Sequence, residues 1–165
     1  MKALVVVVLA GVLAFGGLAL AAEMEGKIQT VDTAGKEMVL DDDEESCRAL
    51  SELLTAEGFR AHPFVSSEMA WSAIESRRIQ PDAVVSDIRM PGLDGVAFLR
   101  RLRARFPGIP VILVSAFPDD GIWSEALRLG ALDVVPKPIR AGPLVRLLQD
   151  AVRGGYDGSA CTETH

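Results

Sequence analysis

Cysteine is scarce in this 165-residue chain: Cys47 and Cys161 stand alone, with no CxxC pair and no histidine at ligand spacing. That excludes a disulfide framework and a structural zinc site. His62 and His165 are equally isolated, one before a proline and one at the terminus, so neither has a partner with which to act as a base. Positive charge is in deficit as well. A formal net charge of -6 argues against a chain held on nucleic acid or an anionic membrane by backbone electrostatics. The dense basic stretch Arg100, Arg101, Arg103 and Arg105 interleaves with Leu99, Leu102 and Phe106 at helical spacing, and reads as a solvated helix face. Lysine nearly vanishes in the body: from residue 37 onward there are thirteen arginines and one lysine, Lys137. A compact ammonium on a flexible stem differs chemically from a guanidinium fork, so that single choice points to a specific need.

What the chain does have is apolar residues, 49% against 24% charged, enough for one domain with a proper core plus short appendages. Met1 and Lys2 precede an almost purely apolar run over residues 3–22, with small residues at Ala19 and Ala21 ahead of Glu23. Residues 1–22 therefore read as a signal peptide or an N-terminal hydrophobic anchor, and either places the rest of the chain outside the cytoplasm. Residues 23–37 read as a short linker or hairpin turning at Ala34 and Gly35. Through "AAEMEGKIQTVDTAGK" followed by "VLDD", residues 1–42 resemble a family of very short exported bacterial proteins. That resemblance implies a join between the head of one gene and the body of another, with its seam at Asp41 to Asp43.

From residue 38 the pattern alternates short apolar runs with amphipathic stretches, βα five times over. The expected strands are Met38 to Leu40, Phe59 to Phe64, Ala83 to Asp87, Val111 to Ser115 and Asp133 to Pro136. Between them, Leu50, Leu53 and Leu54 mark a helix that stops at Gly58, and Ser67 is expected to cap a second carrying Ala70, Trp71 and Ile74. A third is expected over 94–106, a fourth ends at Gly130, and a fifth carries Leu144, Leu147, Leu148 and Val152. Such alternation predicts an α/β fold, a parallel sheet with helices on both faces. The first strand is thin, and Glu37 is expected at the sheet's edge or end because burying an unpaired carboxylate is costly.

In open α/β sheets ligands sit beyond the carboxyl ends of the strands. Strand one ends in Asp41, Asp42 and Asp43, strand three in Asp87, strand four in Ser115, and strand five runs into Lys137. Clustered carboxylates repel unless a cation neutralises them, and oxygen-only ligation with retained waters is the habit of Mg²⁺. Asp87 is then placed to act as a carboxylate nucleophile toward a phosphoryl group, with Lys137 compensating charge and Ser115 donating a hydrogen bond.

The segments "VLDDDEESCRALSELLTAEGF", "PDAVVSDIRMPGLDGVAFLRRLR", "IPVILVSAF" and "ALRLGALDVVPKPI" resemble the receiver domain of two-component response regulators across residues 38–153. The steps from Asp42 to Asp87 (45), Asp87 to Ser115 (28) and Ser115 to Lys137 (22) are also similar to that family. The resemblance implies a five-stranded, doubly wound, flavodoxin-like sheet of strand order 2-1-3-4-5. It also implies phosphorylation of Asp87 by a partner histidine kinase, a phosphotransfer protein or a small phosphodonor. Mg²⁺ would be held by Asp42, Asp87 and the backbone carbonyl of Arg89, with Asp41 acting through water.

By the same resemblance, Ser115 and Lys137 follow the phosphoryl group, the Lys137–Pro138 bond is cis, and small Ala116 leaves the site open to water. Val134 stands where the family often has a switching aromatic, which implies a muted or differently built signalling stroke. The expected function is a phosphorelay receiver that signals by protein contact with a downstream target, without direct nucleic-acid binding and touching a membrane only through residues 1–22. It is not expected to be a turnover enzyme: a hydrolase reading lacks the second acid two residues after Asp87, where Arg89 stands. The alternative is an exported, receiver-like binding or structural protein without phosphotransfer. The leader predicts export or anchoring, whereas receiver chemistry predicts the cytoplasm. Residues 154–165 read as a polar flexible tail, and the chain as a stand-alone receiver.

Overall fold

The computed structural model describes residues 35–116 and 120–154. The expected leader, nearly all of the hairpin segment and the tail beyond Gly154 lie outside the described residues. Ten elements alternate: β1 (Lys36–Leu40), α1 (Glu44–Ala56), β2 (Arg60–Phe64), α2 (Ser67–Glu75), β3 (Ala83–Asp87), α3 (Gly95–Arg105), β4 (Val111–Ser115), α4 (Asp120–Arg128), β5 (Asp133–Pro136) and α5 (Ala141–Gly154). The strands form one parallel sheet of order β2-β1-β3-β4-β5. Among the described residues no helix is long and apolar enough to cross a membrane.

Successive side chains of a strand point to opposite faces, and the three inner strands spend apolar residues on both. Met38, Leu40, Val84 and Leu113 face a core shared with Trp71, Phe98 and Leu102 of α2 and α3. Val39, Val85, Ile112 and Val114 face the other core, shared with Leu54 of α1 and Leu144 and Leu148 of α5. Every residue of β3 and of β4 is buried, as continuous apolar runs in a two-sided sheet require. Helices begin where carboxylates and hydroxyls accept from orphan amides: Asp43 from Ser46, Ser66 from Met69, and Asp94 from Ala97. Gly58 and Gly130, at φ 92° and 88°, turn the chain after α1 and α4.

Three expectations need correction. The cap of α2 is Ser66, not Ser67, whose hydroxyl instead donates to the Leu93 carbonyl at 2.6 Å. The arginine run is not simply a solvated face. Arg100 pairs with Glu125 at 2.8 Å, Arg101 lies 4.1 Å over the Trp71 ring, and Arg103 donates to the carbonyls of Gly130, Pro107 and Ile109. A planar fork that reaches three carbonyls at once is what a guanidinium does and an ammonium does not.

Glu37 departs furthest. It is fully buried in a strand flanked on both sides, facing Ala61 of β2 and Ala83 of β3 in register, and neither carboxylate oxygen has a hydrogen-bond partner. Its small neighbours make the room: besides these two alanines, its carboxylate fills the space that a side chain on Gly35 would need. Burial, then the Asp82 charge, push its pKa up to about 7, with nearby backbone amides and Arg60 offsetting only part.

Candidate phosphoryl-transfer site

The register carries the site. Leu40 pairs with Ser86, so Asp41 and Asp87 emerge side by side at the carboxyl edge. Ser115 pairs with Pro136, which brings Lys137 to the same edge. The Lys137 amide donates to the Ser115 carbonyl at 2.8 Å, and its side chain then crosses β4 toward β1 and β3. Its Nζ lies 2.9 Å from Asp41 Oδ2 and 2.6 Å from Asp87 Oδ1, so one ammonium bridges two buried carboxylates.

Each carboxylate is held at its other oxygen by backbone. Asp41 Oδ1 accepts from the Asp43 amide at 3.0 Å, and Asp87 Oδ2 accepts from the Arg89 amide at 2.6 Å. Burial pulls the Lys137 ammonium toward deprotonation, but its hydrogen bonds to Asp87 and Asp41 and their charges outweigh this and raise its pKa above the ordinary lysine value. The Lys137 ammonium therefore keeps its charge throughout the neutral range.

Not every expected residue joins it. Asp43 is taken up in capping α1, where its carboxylate accepts from both the amide and the hydroxyl of Ser46. Asp42 is exposed beside the pair, and among the described residues no three acidic, cysteine or histidine side chains are grouped as a metal set. Ser115 is buried at the end of β4 with exposed Ala116 after it, and Val134 is buried in the core beneath. The Lys137–Pro138 peptide is cis. A cleft of 290 Å³ opens beside the pair, walled by Asp41, Ser46, Leu50, Leu53, Lys137 and Ile139.

Gly95 was not singled out by its sequence position, yet it matters. A Cβ there would overlap the carbonyl oxygen of Asp87, so only glycine lets α3 start this close to β3. The one signal available was a glycine immediately after the capping Asp94. Chemically, the arrangement offers hard oxygen donors already paired with a cation. Two adjacent carboxylates fit Mg²⁺ in its usual mode of one or two carboxylates plus retained waters.

The response regulator receiver domain family matches residues 38–149. The DNA-binding transcriptional regulator NtrC of Klebsiella pneumoniae is 35% identical over 114 residues, 69% of this chain but 24% of that protein. The transcriptional regulatory protein FixJ of Bradyrhizobium diazoefficiens is 33% identical over 121 residues, 73% of this chain and 58% of its own length. A response regulator receiver domain protein from Clostridium thermocellum superposes with a TM-score of 0.69 at 25% identity, over 73% of this chain and 95% of that one. The chain thus spans about a quarter of NtrC and little more than half of FixJ. The resemblance of residues 1–42 to short exported proteins finds no support in these comparisons. With the family match, the strand order and the bridged carboxylates in agreement, the chain belongs to the response regulator receiver domain family.

Proposed function

We propose that Asp87 takes a phosphoryl group from the phosphohistidine of a partner histidine kinase or phosphotransfer protein, or from a small phosphodonor. The observation that carries this is Lys137 Nζ bridging Asp41 and Asp87 at the carboxyl edge of the sheet. In the transfer an Asp87 carboxylate oxygen bonds to phosphorus while the donor's bond to phosphorus breaks, P–N in a phosphohistidine or P–O in acetyl phosphate, and its electron pair stays on the departing imidazole or acetate. Asp41, Asp42, Asp87 and the Arg89 backbone carbonyl would hold Mg²⁺, which supplies charge neutralisation at the phosphoryl oxygens. Lys137 holds the Asp87 carboxylate oriented before transfer, and its ammonium lies beside the oxygens that would carry the phosphoryl group afterwards. The Ser115 hydroxyl stands one strand away as the donor expected to follow that group.

Signalling then runs to a downstream protein target through the face formed by α4, β5 and α5. Val134, buried under that face, contributes no swinging ring. Receiver domains of this family are generally not turnover enzymes, and slow self-hydrolysis past the small Ala116 would end the signal.

The test is intact-protein mass spectrometry of the full chain before and after acetyl phosphate with Mg²⁺, comparing wild type with Asp87→Asn. One added phosphoryl, absent in the variant, is expected. No gain of mass in the folded wild type would overturn the proposal. The same spectrum shows whether the chain is cut near Ala21 or Ala22.

A further inference from the structure

The loop that follows the phosphoacceptor, residues 88–94, is tied down at both ends. At its base the Gly95 amide donates to the Ile88 carbonyl at 2.9 Å. At its far end the tie comes from another element: Ser67, first residue of α2 and 1% exposed, donates its hydroxyl to the Leu93 carbonyl at 2.6 Å. The same hydroxyl lies 3.8 Å from Met90 Sδ. Beside it the Glu68 carboxylate, itself accepting from Ser66 Oγ at 3.0 Å, lies over Gly92, whose φ of 76° needs the missing Cβ. A capping hydroxyl is the usual task for a serine at a helix start, and here Ser66 does that work, which leaves Ser67 to reach across. Between the two ties sits Arg89, whose amide grips Asp87 Oδ2 at 2.6 Å.

We propose that Ser67 is a positioning residue for the phosphoryl-transfer site, holding the 88–94 loop through Leu93 so that the Arg89 backbone stays on the Asp87 carboxylate. This rests on Asp87 being the phosphoacceptor. A buried hydroxyl removed from a carbonyl leaves that acceptor unsatisfied, and the loop regains freedom the site needs it to lack.

The experiment uses the full chain with Ser67→Ala, the near-isosteric weak donor Ser67→Cys, and Ser72→Ala on the exposed side of the same helix. Two quantities are read: amide exchange over residues 89–94 in metal-free protein, and the Mg²⁺ concentration giving half-maximal phosphorylation by acetyl phosphate. For Ser67→Ala, loop exchange faster by about five- to tenfold and a half-saturating Mg²⁺ raised by a similar factor are expected, with β4 exchange unchanged. Ser67→Cys should fall between it and wild type, and Ser72→Ala should match wild type. Unchanged loop exchange overturns the proposal. Faster exchange with an unchanged Mg²⁺ titration overturns it too, since the loop would then be held without bearing on Asp87. If Ser67→Ala does not fold, Ser67→Cys decides by the same criteria. Should wild type take no phosphate, the phosphoacceptor reading fails by itself, while loop exchange still decides whether Ser67 holds the Arg89 backbone.

Discussion

Glu37 shows how one side chain can set the pH behaviour of a fold. An acid whose folded pKa is about 7 against an ordinary 4.5 binds its proton more tightly folded than unfolded. Its contribution is therefore most favourable below pH 4.5 and is lost as pH rises through 7, a change of about 3 kcal/mol in all. Replacing it with the apolar residue that a two-sided strand asks for removes that slope. Glu37→Val should raise the urea midpoint markedly at pH 8 and much less at pH 5. Equal gains at both values would show that the carboxyl does not titrate in this window. Desolvation disfavours a buried unpaired carboxylate, which is why Glu37 is expected at the sheet's edge or end. The pairing of Glu37 with Ala61 and Ala83 decided otherwise, and no local pattern in "GKEMVL" announces partners 24 and 46 residues away. Cys47 is the converse case. Its Sγ lies 3.6 Å from the Val39 carbonyl and 3.5 Å from that of Phe64, and burial pushes the thiol up.

At the scale of elements, what the apolar runs announce and what the ladder decides can be separated. β3, β4 and β5 coincide with the short apolar runs bounded by Pro and Gly: β3 and β4 are buried along their whole length, whereas β5, at the sheet's edge, buries only Val134. β1 starts two residues earlier than its apolar run, at Lys36, since pairing with Arg60 extends it regardless of hydrophobicity. The α3 helix makes the sharpest prediction. Its first residue packs against the backbone of the phosphoacceptor, so Gly95→Ala must push α3 away from β3 or move Asp87. A loss of about 3 kcal/mol in unfolding free energy is expected, together with loss of phosphorylation in whatever remains folded. Wild-type stability in that variant, measured by urea unfolding, would mean that the contact relaxes freely. Arg103 ties the end of the same helix to the carbonyls before β4 and after α4, a task its place in a basic run concealed.

For the whole molecule, a metal that binds only the folded site must add to folding stability by mass action, about 1.4 kcal/mol at tenfold over its dissociation constant. Wild type should therefore melt higher as Mg²⁺ is added. Lys137→Met tests the bridge from the other side. Two buried carboxylates lose their shared cation, so the melting temperature should drop without metal and recover in millimolar Mg²⁺. An Mg²⁺ effect that persists undiminished in Asp87→Asn would place the ion elsewhere.

Local pattern is enough to give the βα alternation, the strands that end in Asp41, Asp87 and Ser115 or run into Lys137, and so the edge where chemistry gathers. It can do so because period and residue type are local properties of a chain. Packing of distant segments settles that Asp43 caps a helix while Asp41 meets Lys137, that Ser67 reaches a loop 26 residues away, and that Glu37 is buried without a hydrogen-bond partner. Those outcomes depend on which strands lie side by side and at what register, and a side chain's partner is fixed only when the sheet has closed around it.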